Sequence, residues 1–172
     1  MIRYHDKEWG RPSRKDSYLF EMLVLEGAQA GLSWSTVLNK RDGYREAFDG
    51  FDHDRIARYS DPKLEKILTT ANIVRNRLKV FSVRTNARAF REVQAEFGTF
   101  AKFLWSWVDN EPVVNHPTAK SPVLASTVLS DQLSKDLKKR GFTFVGTTIT
   151  YAYLQAVGVV DDHLDECAAK SR

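Results

Sequence analysis

The stretch Leu133-Ser134-Lys135-Asp136-Leu137-Lys138-Lys139-Arg140-Gly141-Phe142-Thr143-Phe144-Val145-Gly146-Thr147-Thr148 decides the fold. An amphipathic helical pattern returns at Leu129 and runs to Lys139. Gly141, free to take a positive φ, ends it. Phe142–Val145 and Thr148–Tyr151 are β-branched and aromatic and read as strand by propensity. They lie between two helical patterns and are bracketed by Gly141 and Gly146, so a short hairpin followed by a second helix, from about Thr147 to Val157, is the better expectation. The motif is thus helix, hairpin, helix over about 129–158. Gly146 leaves bare backbone N–H groups at the positive end of the second helix, where a phosphate can sit, and Lys135, Lys138, Lys139 and Arg140 add charge nearby. Contacts of this kind position a protein on a nucleic acid without reading its sequence. The same residues also describe an ordinary αα-hairpin whose basic last turn suits the helix dipole.

Upstream, helical periodicity continues almost without interruption, so an all-α class is expected. Asp16 is a candidate cap for a helix through Glu26 that stops near Gly31. Ser33 caps a short helix over Trp34–Arg41 that breaks at Asp42-Gly43. Asp52 and Ser60 open two more. A long amphipathic segment spans about Ile73 to Phe97, and Thr99 opens another helix after Gly98. Asp109 to Ala125, with Pro112, Pro117 and Pro122, forms the one long loop.

Glu26 is the most informative acid. At about 100° per residue it shares an arc with Leu19, Met22 and Leu23, while Glu21 falls on the opposite, solvent-facing side. An acid on an apolar face must pair, protonate or serve a ligand. Just beyond it, Gln29-Ala30-Gly31-Leu32-Ser33-Trp34 is a turn that exposes Leu32 at its tip. An apolar wedge on a tight turn can fill the gap left by an extruded base, and Trp34, Trp9 and Tyr4 could stack on that base. Core packing is the competing reading for each aromatic. His5, His163 and Cys167 are candidate metal ligands; if the tail is helical, His163 and Cys167 sit at i and i+4 on one face, a spacing zinc accepts.

The 172 residues carry 26 Lys plus Arg against 22 Asp plus Glu, a net charge of +4 that favours a polyanionic partner without proving one. Hydrophobic residues make up 42%, enough for a folded core. No apolar run approaches the roughly 20 residues that span a bilayer, and the start lacks the apolar core of a signal peptide. A single cysteine excludes an internal disulfide and fits a cytoplasmic protein. A monomeric single domain over 1–172 is expected, since no apolar heptad seam is present.

Three segments together resemble the bacterial 3-methyladenine DNA glycosylase I family: Tyr4-His5-Asp6-Lys7-Glu8-Trp9-Gly10, Leu25 through Trp34, and Leu133 through Thr148, with Arg75-Asn76-Arg77 and Asn86-Ala87-Arg88-Ala89 between them. The resemblance implies a helix-hairpin-helix DNA glycosylase fold, two helical lobes around a base pocket. It implies a monofunctional enzyme that flips N3-methylated adenine from double-stranded DNA and releases the free base. Carried over by position, Glu26 hydrogen-bonds the base, Tyr4 and Trp34 flank it, and Trp9 lies nearby. Gly31 and Leu32 contact the gap, and Gly141, Gly146 and Lys139 belong to the phosphate grip. The resemblance also implies a structural zinc on His5, His163 and Cys167. The family's further cysteine lies before Tyr4-His5, outside this sequence; either this sequence starts late, or water or another group completes the site, or there is no zinc. Other helix-hairpin-helix glycosylases carry a catalytic Asp in a Val-Asp-x-His setting, and Asp161 occupies that slot, making a broader-specificity glycosylase the runner-up. Asp161 as a cap before His163 is the plainer reading. A DNA-binding module without catalysis is the alternative from another class.

Overall fold

The helix that begins at Asp16 has no solvent face. In a computed structural model, which describes residues 1–122 and 124–170, α2 (Asp16–Gln29) is buried at every position from Leu19 to Ala28. It packs against α3 (Trp34–Leu38), α7 (Arg77–Phe97), α8 (Phe100–Ser106) and α10 (Thr147–Ala156). The expectation that Glu21 faces water is therefore wrong. Glu21 is buried and accepts bonds from Arg41 Nε at 2.7 Å and Arg45 Nε at 2.8 Å. Arg41 also donates to Glu8 at 2.7 Å, so one guanidinium ties the end of α1 (Ile2–Lys7) to α2. Burial works against the Arg41 charge, but its bonds to Glu21 and Glu8 outweigh it and hold the pKa above its ordinary value.

Local capping rules hold for most of the other helices. Ser33, Asp52 and Ser60 each accept the backbone N–H three residues on, opening α3, α5 (His53–Ile56) and α6 (Asp61–Thr70). Asn76 opens α7 in the same way, later than Ile73. Asp16 departs from the expectation. Its carboxylate accepts Phe100 N–H and Ala101 N–H at 2.9 Å each, so it caps α8 and not its own helix. Asp42-Gly43 is no break either. It lies inside α4 (Arg41–Ala47), where Gly43 lets a neighbouring backbone pass, because a Cβ there would stand 2.1 Å from the Asn72 carbonyl. A 3-10 turn, Asp49–Phe51, leads from α4 to α5.

The hairpin of helices is present. The first of the pair, α9 (Val128–Lys139), is opened by a Thr127–Ser130 capping box and ends before Gly141, whose φ is +92°. It packs against α10, and Ser134 Oγ donates to the Val145 carbonyl between them at 2.6 Å. Arg140 is not free surface charge as expected: its guanidinium bonds Asp136 and Glu96 at 2.6 Å each. After α10 the chain forms a short parallel pair, Val113–Val114 (β1) with Val160–Asp161 (β2). This pair pins the start of the proline-rich loop to the C-terminal segment. Among the described residues no helix is long and apolar enough to cross a membrane.

Candidate functional site

Five parts of the chain converge on one cavity of about 440 Å³. The first, α1, contributes Tyr4 and His5, followed by Trp9. The last two turns of α2 contribute Glu26 and Gln29. The first residue of α3, Trp34, forms another wall. The segment after β2 supplies Asp162, His163 and Cys167, with Gln155 from α10 beside them. The size is ordinary for a small-molecule pocket.

The walls hold unused hydrogen-bonding capacity. Among the described residues, four buried side-chain polar atoms have no partner: Tyr4 Oη, Glu26 Oε2, Trp34 Nε1 and His163 Nε2. All four belong to residues that line this cavity. Orphaned buried polar atoms are costly in a stable fold, and four in one place are best explained by bound groups that satisfy them. Glu26 is 4% exposed, and burial pushes its carboxyl pKa up to about 8. The Tyr4 hydroxyl is raised as well, chiefly by burial and then by Glu26, so it stays a neutral phenol.

Tyr4 and Trp34 do not stand as two parallel plates. Their rings meet at 51° with centroids 5.3 Å apart and form one aromatic corner. A second cluster also lines the cavity: His5 stacks on Trp9 at 5.7 Å, and His163 packs edge-on to both, at 4.9 Å and 4.6 Å.

His5, His163 and Cys167 are brought together, each offering a ligand atom within 4.8 Å of the others. The helical spacing expected for the last two is absent, since residues 162–170 contain no helix; turns fold Cys167 back toward His163 instead. Asp161 Oδ1 lies 2.7 Å from His163 Nδ1 and also accepts its backbone N–H. That leaves Nε2 as the free ligand atom. Carboxylate, imidazole and open nitrogen in that order form the usual outer support of a metal-bound histidine. Gly10 makes room for it: a Cβ there would stand 2.7 Å from His163 Cε1. Asp161 is 1% exposed and does not line the cavity, so in this structure its carboxylate serves the imidazole.

The candidate DNA-facing residues lie on outer turns. Gly31 has a φ of +76° with open space at its Cβ position, and Leu32 beside it is 40% exposed. Gly146 starts α10 with no side-chain cap, leaving its first N–H groups available, though Asp131 bonds the neighbouring Thr147 hydroxyl. Lys139 is exposed in the last turn of α9.

Sequence reasoning did not single out Gln29, Gln155 or Asp162. Gln29 sat within a motif already marked. Asp162 accepts bonds from Asn115, Tyr151 and Gln155, a set drawn from distant positions and visible only in the fold.

A desolvated carboxyl, an aromatic corner and unused donors and acceptors suit one flat, polar ring system, so fold and site define a helical protein that binds a planar base. Comparison with known proteins agrees. A family model described as methyladenine glycosylase matches residues 1–170. DNA-3-methyladenine glycosylase 1 of Escherichia coli is 47% identical over 96% of this chain and 89% of its own length. The Haemophilus influenzae DNA-3-methyladenine glycosylase is 44% identical over 99% and 92%. A solved structure of 3-methyladenine DNA glycosylase I from Staphylococcus aureus superposes with a TM-score of 0.97 at 36% identity, covering 99% of this chain and 91% of that one. The chain belongs to the methyladenine glycosylase family.

Proposed function

We propose that this protein is a DNA-repair N-glycosylase that excises 3-methyladenine from alkylated double-stranded DNA. The observation that carries the reading is the cavity walled by the unpartnered Tyr4 Oη, Glu26 Oε2 and Trp34 Nε1, with the Glu26 carboxyl desolvated among them. Family membership gives the reaction; the cavity gives it a chemical basis.

An adenine methylated at N3 in DNA is cationic, so its glycosidic bond is weakened and the base needs no proton to leave. The protein must extrude it and hold it. Leu32 fills the space vacated in the duplex, and the bare N–H groups at Gly146 with Lys139 hold backbone phosphates from the 140–146 turn. In the cavity Glu26 ionises beside the cation and accepts from its exocyclic amine, a charge-assisted bond worth roughly 1.5–3 kcal/mol. Tyr4 and Trp34 give the cation π faces. Neutral adenine offers no countercharge to a buried carboxylate and is held less well. Water then adds to C1′ of the sugar, the C1′–N9 bond breaks, and its electron pair neutralises the departing base. The product is free 3-methyladenine, and the surplus water proton passes to solvent.

His5, His163 and Cys167 fit a structural zinc, with water or another group as fourth ligand. His163 Nε2, buried without a partner and held in register by Asp161, supports this. Such an ion would cross-link the start of the chain, which carries Tyr4, to its end.

Chromatography of bases released from N-methylated duplex DNA tests the function. Release of 3-methyladenine far ahead of 7-methylguanine is expected. Comparable release of both would favour the broader-specificity enzyme, and salt-dependent binding with no release would favour a DNA-binding module.

A further inference from the structure

The turns assigned above to the duplex, around Leu32 and at 140–146, are held from one helix. Lys79, in the first turn of α7, reaches across to the end of α2. Its Nζ donates to the Ala28 carbonyl at 2.8 Å and to the Ala30 carbonyl at 2.6 Å. Those carbonyls sit at the C-terminal end and cap of α2, where Ala30 N–H donates to the Gly27 carbonyl over a long 3.4 Å and Leu32 N–H donates to the Gln29 carbonyl at 2.6 Å. Immediately beyond are Gly31, in the left-handed region, and the exposed Leu32. A cation at this end of a helix also meets the negative pole of its dipole.

Seven residues along α7, Asn86 does the same for the other turn. It is buried, its Nδ2 donates to the Thr143 carbonyl at 3.1 Å, and its Oδ1 accepts Thr143 N–H at 2.8 Å. Residues i and i+7 lie on one helix face, about 10 Å apart along the axis. Neither side chain lines the base cavity.

We infer that Lys79 and Asn86 are positioning residues for duplex engagement: from one face of α7 they fix the Leu32 turn and the 140–146 turn at a set separation, so that the wedge enters the helix where the phosphates are gripped. The inference rests on the glycosylase reading. A rigid spacing matters because the cost of unstacking the lesion must be met while both turns are in contact with DNA.

The test compares Lys79→Met, Lys79→Arg and Asn86→Asp with the wild type. Asn86→Asp keeps the acceptor for Thr143 N–H but loses the donor to its carbonyl. Three readouts are needed: kcat and KM for base release from methylated duplex, calorimetric affinity for free 3-methyladenine, and Tm. For Lys79→Met and Asn86→Asp, kcat/KM on duplex is expected to fall about tenfold or more, the loss of a charged or buried bond, while free-base affinity stays within about twofold. Lys79→Arg should recover most of the loss, because it keeps charge and donors. Wild-type kcat/KM on duplex in both Lys79→Met and Asn86→Asp would overturn the inference. So would a parallel loss of free-base affinity, which a merely structural role produces. Wild-type protein that releases no base would overturn the glycosylase reading itself, a separate result.

Discussion

Replacing Glu26 by Gln should separate stability from recognition in opposite directions. Glu26 is 4% exposed, and burial raises its pKa to about 8. At pH 7 most of the carboxyl is therefore protonated, and ionising it costs on the order of 1 kcal/mol. A cationic base requires the ionised form, so wild-type kcat/KM should rise about tenfold per pH unit below 8 and level off above it. Gln removes the titration and exchanges a charge-assisted bond for a neutral one, a loss of about 1–2 kcal/mol, or roughly 5–30-fold, above pH 8. Below pH 8 the gap should close as the wild type protonates. Stability runs the other way. The carboxyl pKa is raised on folding, so the stability it allows is complete below the ordinary 4.5 and is lost as pH climbs toward 8. Over that interval the wild type loses roughly 4–5 kcal/mol that Glu26→Gln does not lose, and the variant should melt at the higher temperature at pH 8. Single-turnover base release between pH 6 and 9, with thermal melts at each pH, measures both. A wild-type rate profile without a step near pH 8, or the same step in Glu26→Gln, would refute the reasoning.

Other perturbations test other parts. Leu32→Ala removes the apolar tip, and base release from duplex should fall about tenfold while affinity for free 3-methyladenine is unchanged, by calorimetry. Gly10→Ala drives a Cβ into His163 at a left-handed position, and denaturant melts should show a loss of more than about 2 kcal/mol, with a lower zinc content if His163 holds zinc as proposed. Arg41→Met strands the Glu21 carboxylate with Arg45 as its remaining cation and should cost about 3 kcal/mol in the same assay. A strong chelator should lower Tm and base release together if zinc fastens Tyr4 in place, and re-addition of zinc should restore both.

What could be read before the fold was known follows local physics. Gly141 and Gly146 mark the hairpin because one must leave the allowed space of other residues and the other starts a helix without a cap. Ser33, Asp52 and Ser60 cap as expected because their partners are three residues away. Glu26 was legible because a carboxyl among Leu19, Met22 and Leu23 breaks the apolar arc. Glu21 was misread because its burial depends on Arg41, twenty residues on, and on α2 being enclosed on all sides. Asp16 was misread because the N–H groups it satisfies belong to Phe100 and Ala101. His163 and Cys167 do meet, through turns that no helical period anticipates. The two-residue strands are too short for an alternating pattern.

The central claim is that the cavity walled by Tyr4, Glu26 and Trp34 receives the extruded base. A crystal structure of the protein with 3-methyladenine bound tests it most directly. The base is expected in that cavity, against the Tyr4–Trp34 corner, with its exocyclic amine within hydrogen-bond distance of Glu26. A base seated elsewhere, or in the cavity with its amine turned away from Glu26, would contradict the account.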